Sequence, residues 1–361
     1  MRILLCSPTF PVGGISKWTE CVTGYFSGHP ELAEVTLFEM NRTAYLGDNA
    51  GLLRRAYAGA RDYLNLVQKF RKKIGSGQWD GVHLCTSGSI GFLKDLLFVR
   101  LCRKAGVPVT IHLHFGRIPE LSRKRNWEWK LLKKVLSGVS EIITMDGNSY
   151  EVLKNEGYSN LTNVPNPLSG DLLSLQPNAE RNLRKFLFVG HILPTKGVNE
   201  LLEACSQIDG ITLELVGKDS VGMLRELIEK YPSEFKSGKF IAAGEVSHSD
   251  VLKKMSDGIM LFPSYTEGFP FVILEAMACG MPIVSSKVGA IPEMLAINSE
   301  NPAGIGIDAR SAEQLRDAAE RLIHNKELAD RLGHNAVKRV REQYGIDVVA
   351  EKLAGVWRKQ A

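Results

Sequence analysis

Short runs of β-branched and apolar residues recur along this chain, each followed by a longer helical pattern, and the series runs twice. The first series is RILLC (2–6), GVHLC (81–85), VPVTIHL (107–113) and EIITM (141–145). The second is FLFVG (186–190), TLELVG (212–217), KFIAA (239–243), GIMLF (258–262) and PIVSS (282–286). Strands without polar alternation have to be covered on both faces, and helices between them put them in a parallel sheet. Between the series lies NVPNPLSGDLLSLQPNAERN (163–182), whose three prolines and polar turn formers mark a linker. At 361 residues, the expectation is an α/β protein of two doubly wound, Rossmann-like domains, 1–172 and 173–345, facing each other across a cleft. A C-terminal helix over about 346–361 is a candidate to pack back on the first domain. Ligands of such sheets bind beyond the carboxyl ends of the strands, which makes the cleft the expected active site.

Composition removes several function classes. The chain is 44% hydrophobic and 24% charged, without low-complexity segments, heptads or a fixed repeat, as in a globular enzyme. No uncharged apolar stretch is long enough to span a bilayer. The start, MRILLCSPTF, has only a short apolar run before Ser7-Pro8, which suits a first strand and not a secretion signal. Cys6, Cys21, Cys85, Cys102, Cys205 and Cys279 are scattered with no CxxC pair, and read as buried thiols of a reducing compartment. A cytoplasmic location is expected. There is no Asp-x-Asp sequence and no His/Cys/carboxylate cluster at metal-ligand spacing, so neither a metal nor another cofactor is expected.

Three segments carry chemistry. In EGFPFVILEAMACGMPIV (267–284), Pro270 suits the first helical position and Gly280 the helix end. Glu275 then sits among Val272, Ile273, Leu274, Ala276 and Met277, where a carboxylate is costly to bury unless something polar meets it. That partner is either a basic residue of the same domain or a ligand. Glu267 opens the segment, and alone it reads equally as a partner of the helix dipole. In FLFVGHILPTKGVNELLEA (186–204), Lys196 stands at a helix entrance, a suitable place for phosphate but also for a solvated loop lysine. In SPTFPVGGISKW (7–18), Gly13-Gly14 lies between the first strand and the first helix, where backbone can approach an anion.

Taken together, GHILPTKG, GEVSHSDVLKKMSDGIMLFPSYTEGFPFVILEAMACGMPIVSSKVGAIPEML and the N-terminal PVGGI resemble glycosyltransferase family 4, the retaining family with the GT-B fold. The resemblance is dense over roughly 186–345 and thinner over 1–170; its most specific part is the Glu-seven-Glu motif, Glu267 and Glu275. It implies an N-terminal acceptor domain and a C-terminal domain for a nucleotide-sugar donor, UDP- or GDP-linked. Glu275 would hydrogen-bond the ribose hydroxyls and Glu267 the ring hydroxyls of the donor sugar, with backbone at Gly268, Phe269 and Pro270 helping to hold sugar and phosphate. Lys196 would neutralise the diphosphate, and Gly13 and Gly14 would offer it backbone N–H. His114, in TIHLHFG, matches the histidine that faces the transferred sugar; His112 would point the same way, but the apolar run stops at His114. One departure stands out. The family usually has an arginine where this chain has His191, which lacks the bidentate fork and whose charge depends on pH. Leaving-group charge would then be met by Lys196, backbone N–H groups and helix N-termini without a metal.

Residues 51–134 hold 18 Lys/Arg against 5 Asp/Glu, although the whole chain carries only +5. Within 117–138, Trp129, Leu132 and Leu136 share one helical stripe, and Arg123, Lys124, Arg125, Lys133 and Lys134 lie elsewhere. Such a helix can lie on an anionic membrane with its aromatic face down, and equally can pack as a surface helix with a solvated basic face. Nucleic acid fits poorly with the sugar-transfer motifs. The expectation is a retaining hexosyl- or N-acetylhexosaminyltransferase acting on a glycan or lipid-linked acceptor in polysaccharide biosynthesis, with peripheral membrane contact. The alternatives are a nucleotide-sugar epimerase or hydrolase of the same fold, and a non-catalytic nucleotide-sugar-binding protein.

Overall fold

The computed structural model describes residues 1–11, 13–41, 52–178 and 180–360. They form two compact units, residues 1–167 with 346–361, and residues 168–345. The first unit contains β1 (Arg2–Ser7), β2 (Glu34–Glu39), β3 (Gly81–Thr86), β4 (Val109–Leu113), β5 (Glu141–Thr144) and β6 (Leu161–Asn163), in the order β2-β1-β3-β4-β5-β6. The second contains β7 (Lys185–Val189), β8 (Thr212–Val216), β9 (Phe240–Gly244), β10 (Ile259–Phe262), β11 (Ile283–Ser286) and β12 (Ile305–Ile307), in the order β12-β11-β10-β7-β8-β9. Every strand pair is parallel. Inner strands β3, β4, β10 and β11 are buried at every residue, as unbroken apolar runs require. β2, β6 and β12, which the apolar runs did not announce, are all sheet edges and are only partly covered.

Each unit has its own core. In the first, helix Gly14–Gly28 sends Trp18, Val22 and Phe26 inward on one stripe. The Phe70 and Phe98 rings stack at 3.9 Å. Helix Ile346–Arg358 packs on helix Gly14–Gly28, where Trp357 meets Phe26 at 5.0 Å. Its indole N–H donates to Nδ1 of His83 at 3.0 Å. The units divide at 167/168 and not at the expected 172/173. The reason is local: the Leu168 N–H donates to the Tyr344 carbonyl at 2.7 Å, and the Arg341 guanidinium holds the carbonyls of Leu173 and Leu175 at 3.1 Å. Most of the proline-containing linker therefore belongs to the second unit.

Candidate active site

In the second unit, the chain leaves β10, runs through the loop 263–270 and enters helix Phe271–Ala278. Pro270 precedes the helix as its N-cap, one position earlier than expected. Two glycines explain why this loop lies where it does. Gly197 follows Lys196 with φ +71°, and a Cβ there would meet the Pro263 carbonyl oxygen at 2.1 Å. Gly289 has φ +56°, and its Cβ would meet the Glu267 carbonyl oxygen at 2.3 Å. Both the left-handed backbone and the close approach need glycine. Backbone bonds complete the clamp: Tyr265 N–H donates to the Thr195 carbonyl and Ala290 N–H to that of Gly268, each at 2.9 Å. Two loops are thereby pressed together, and Lys196 Nζ meets Glu267 Oε1 at 2.6 Å. The pair is largely buried. Phe269 packs into the unit, edge-on to Tyr344 at 5.5 Å.

Glu275 lies inside helix Phe271–Ala278 at 4% exposure, its neighbours Leu274, Ala276 and Met277 all buried. Its Oε1 is 3.0 Å from Nε2 of His248, the first residue of helix His248–Met255. The His248 side chain is 50% exposed, so the carboxylate pairs with a solvent-reachable imidazole. His191, exposed beyond the end of β7, has Nδ1 2.8 Å from Ser220 Oγ. Thus Lys196 and Glu267 come together, Glu275 meets His248, and His191 is held by Ser220. His248 and Ser220 carry no local sequence signal: both are single polar residues in ordinary helix-entry or loop contexts.

Gly13, Gly14 and His114 belong to the first unit. Gly13 is extended, at φ −174°, and Gly14 opens helix Gly14–Gly28. A Cβ on Gly14 would meet nothing within 4 Å, so packing among the described residues does not demand glycine there. Val12, inside the PVGGI motif, lies outside the described residues. His114 follows β4 directly and donates its backbone N–H to the Thr86 carbonyl at 2.9 Å. Its ring lies 3.9 Å from that of His112 and 4.9 Å from that of Trp18, while Trp18 stacks on His83 at 5.3 Å. Burial pushes the His114 and His83 imidazoles down to about 3, and lowers His112 well below its usual range. These rings are neutral at physiological pH. An indole is a donor only, so the bond from Trp357 leaves the His83 proton on Nε2.

One expectation is corrected. Trp129, Leu132 and Leu136, read as a possible lipid-facing stripe, are all core residues. Helix Trp127–Leu136 therefore has no aromatic stripe to lay on a bilayer; Trp127, at 58% exposure, stands alone at its start. The basic residues are also engaged. Arg125 and Lys133 both bind Glu156, at 2.7 and 3.2 Å, and Lys124 binds Glu120 at 2.5 Å. Arg123 donates to the Pro119 carbonyl at 3.4 Å, and Lys134 is exposed. The other basic segment, 51–75, lies partly outside the described residues. Among the described residues, no helix is long and apolar enough to cross a membrane.

Residues 174–339 match the model of the family Glycosyl transferases group 1. An uncharacterized glycosyltransferase of Haemophilus influenzae is 25% identical over 309 residues, 83% of this chain and 82% of that protein. An uncharacterized glycosyltransferase of Methanocaldococcus jannaschii is 32% identical over 150 residues, and the match spans 41% of each chain. Among solved structures, HepE of Anabaena in complex with UDP superposes with a TM-score of 0.73 at 17% identity, over 99% of this chain and 100% of that one. HepE is also known in complex with UDP-glucose. Residues 174–339 are thus similar to the group 1 glycosyl transferases, and the two parallel six-stranded sheets have the GT-B fold.

Proposed function

We propose that this protein moves a hexosyl or N-acetylhexosaminyl group from a nucleotide-diphosphate sugar to a glycan or lipid-linked acceptor, with retention of anomeric configuration. The observation that carries the reading is the Lys196–Glu267 pair, held at 2.6 Å on two backbone-locked loops of one unit. It presents a cation for a diphosphate beside a carboxylate for sugar hydroxyls. In the reaction, the bond from the sugar C1 to the diphosphate oxygen breaks and the acceptor oxygen bonds C1 from the same face. The acceptor proton passes to the departing phosphate. Lys196 and the exposed His191 meet the charge that develops on the diphosphate, and preorganised donors of this kind need no metal. Glu267 accepts from the sugar and Glu275 from the ribose. HepE, which shares the fold, binds UDP and UDP-glucose, which supports a uridine nucleotide as the first donor to try. Contact with anionic lipid, in this proposal, is electrostatic alone, through exposed Arg123, Lys130 and Lys134. Such attraction is screened over about 8 Å at physiological salt.

Thermal denaturation with a panel of UDP- and GDP-sugars tests the donor. A ligand at 100 times its Kd stabilises by about 2.7 kcal/mol, enough to raise Tm by several degrees in units of this size. One nucleotide class should do so and the other should not; no shift with any of them would overturn the proposal.

A further inference from the structure

We propose that His248 is a positioning residue of the donor site, aiming the Glu275 carboxylate at the ribose hydroxyls of the nucleotide. The inference rests on Glu275 as the ribose acceptor and extends it to a residue outside the Glu-seven-Glu segment. Helices His248–Met255 and Phe271–Ala278 pack on each other and are tied at two places. At their carboxyl ends, the Arg181 guanidinium donates to the carbonyls of Met255 and Cys279. From the start of the first helix, His248 Nε2 meets Oε1 of Glu275, inside the second, at 3.0 Å. The start of the first helix is itself capped, with Ser247 Oγ accepting from Asp250 N–H at 3.2 Å and donating to the Asp250 carboxylate at 2.6 Å. With both backbones fixed, the freedom left to Glu275 is in its own side-chain torsions, and the imidazole restrains these.

The chemistry of the partner suits a site more than a strut. A buried Lys or Arg would neutralise the carboxylate and enclose it. An imidazole gives one N–H to one oxygen of a carboxylate that offers about four lone-pair positions. The exposure pattern agrees: the carboxylate is buried and the imidazole half-exposed, so the pair reaches solvent through the imidazole. A pair exposed on both sides would hold nothing in place.

The test is calorimetric titration of UDP and of 2′,3′-dideoxy-UDP, with the GDP pair in parallel, into wild type, His248→Ala, His248→Gln and Glu275→Gln. A hydrogen bond to a charged acceptor corresponds to roughly 10- to 100-fold in affinity, so wild type should bind the intact nucleotide at least about tenfold more tightly than the dideoxy form. In His248→Ala this preference should shrink to a few-fold while dideoxy affinity stays unchanged. His248→Gln, whose amide N–H can replace Nε2–H, should restore it, and Glu275→Gln should lack it. His248→Ala with the full wild-type preference would overturn the inference alone. A wild type that binds neither UDP nor GDP would overturn the donor reading and the inference with it.

Discussion

Removing the Glu275 carboxylate leaves behind a half-exposed imidazole that water can solvate, whereas a buried lysine or arginine would be stranded at a cost of about 3–5 kcal/mol. Glu275→Ala should therefore lower Tm by no more than a few degrees while weakening nucleotide binding at least about tenfold. A collapsed melting temperature with unchanged nucleotide affinity, measured side by side, would show a purely structural glutamate. Gly289 should behave in the opposite way. An alanine there meets both a positive φ, which costs roughly 1–2 kcal/mol, and the Glu267 carbonyl at 2.3 Å. Gly289→Ala should destabilise by about 2 kcal/mol or more and reduce turnover strongly, because the loop carrying Glu267 must move. Full turnover in that variant would show that the loop position does not matter. At this scale the sequence was legible where a residue conflicts with its neighbours. Glu275 interrupts an apolar run and Lys196 stands at a helix entrance, so both could be singled out. His248 conflicts with nothing around it, and only the packing of two helices brings it to Glu275, 27 residues along the chain.

Elements were legible in proportion to how completely they are buried. The inner strands announced themselves as apolar runs, while β2 and β6 mix polar residues into edges that solvent reaches. Amphipathic helices are ambiguous for a different reason: an apolar stripe is the same in sequence whether it faces a bilayer or a core. Helix Trp127–Leu136 shows the second case. Trp129→Ala should cost about 3–5 kcal/mol, read as a lower urea midpoint at constant m, because it empties a core position. An unchanged midpoint, with loss of anionic-vesicle binding instead, would restore the lipid-facing assignment.

Across the molecule, acid stability should report the histidines of the first unit. Burial holds His83 and His114 down to about 3, against 6.5 for an ordinary imidazole. Between those limits the unfolded chain binds protons that the folded chain excludes. Their contribution is complete above about pH 6.5 and falls as pH drops toward 3, by up to about 1.4 kcal/mol per pH unit for each ring. Denaturant unfolding at pH 7.5 and pH 5 should show the loss, and His83→Gln should diminish it; equal stability at both pH values would contradict neutral buried rings. The two-sheet organisation was legible because the strand series restarts after the linker, but the boundary was misplaced by five residues, since Leu168 bonds to Tyr344 far along the chain. The proposed chemistry reaches no metal, so transfer should persist in EDTA; loss on chelation with recovery in magnesium or manganese would count against it.

The most direct measurement is release of nucleoside diphosphate from UDP- and GDP-sugars, with and without alkyl glycosides and oligosaccharides as acceptors, for wild type and Glu267→Ala. Release should depend on an acceptor, be accompanied by a glycosylated product of unchanged anomeric configuration, and fall to background in the variant. Acceptor-independent release, an inverted product, or equal release by Glu267→Ala would contradict the proposed function.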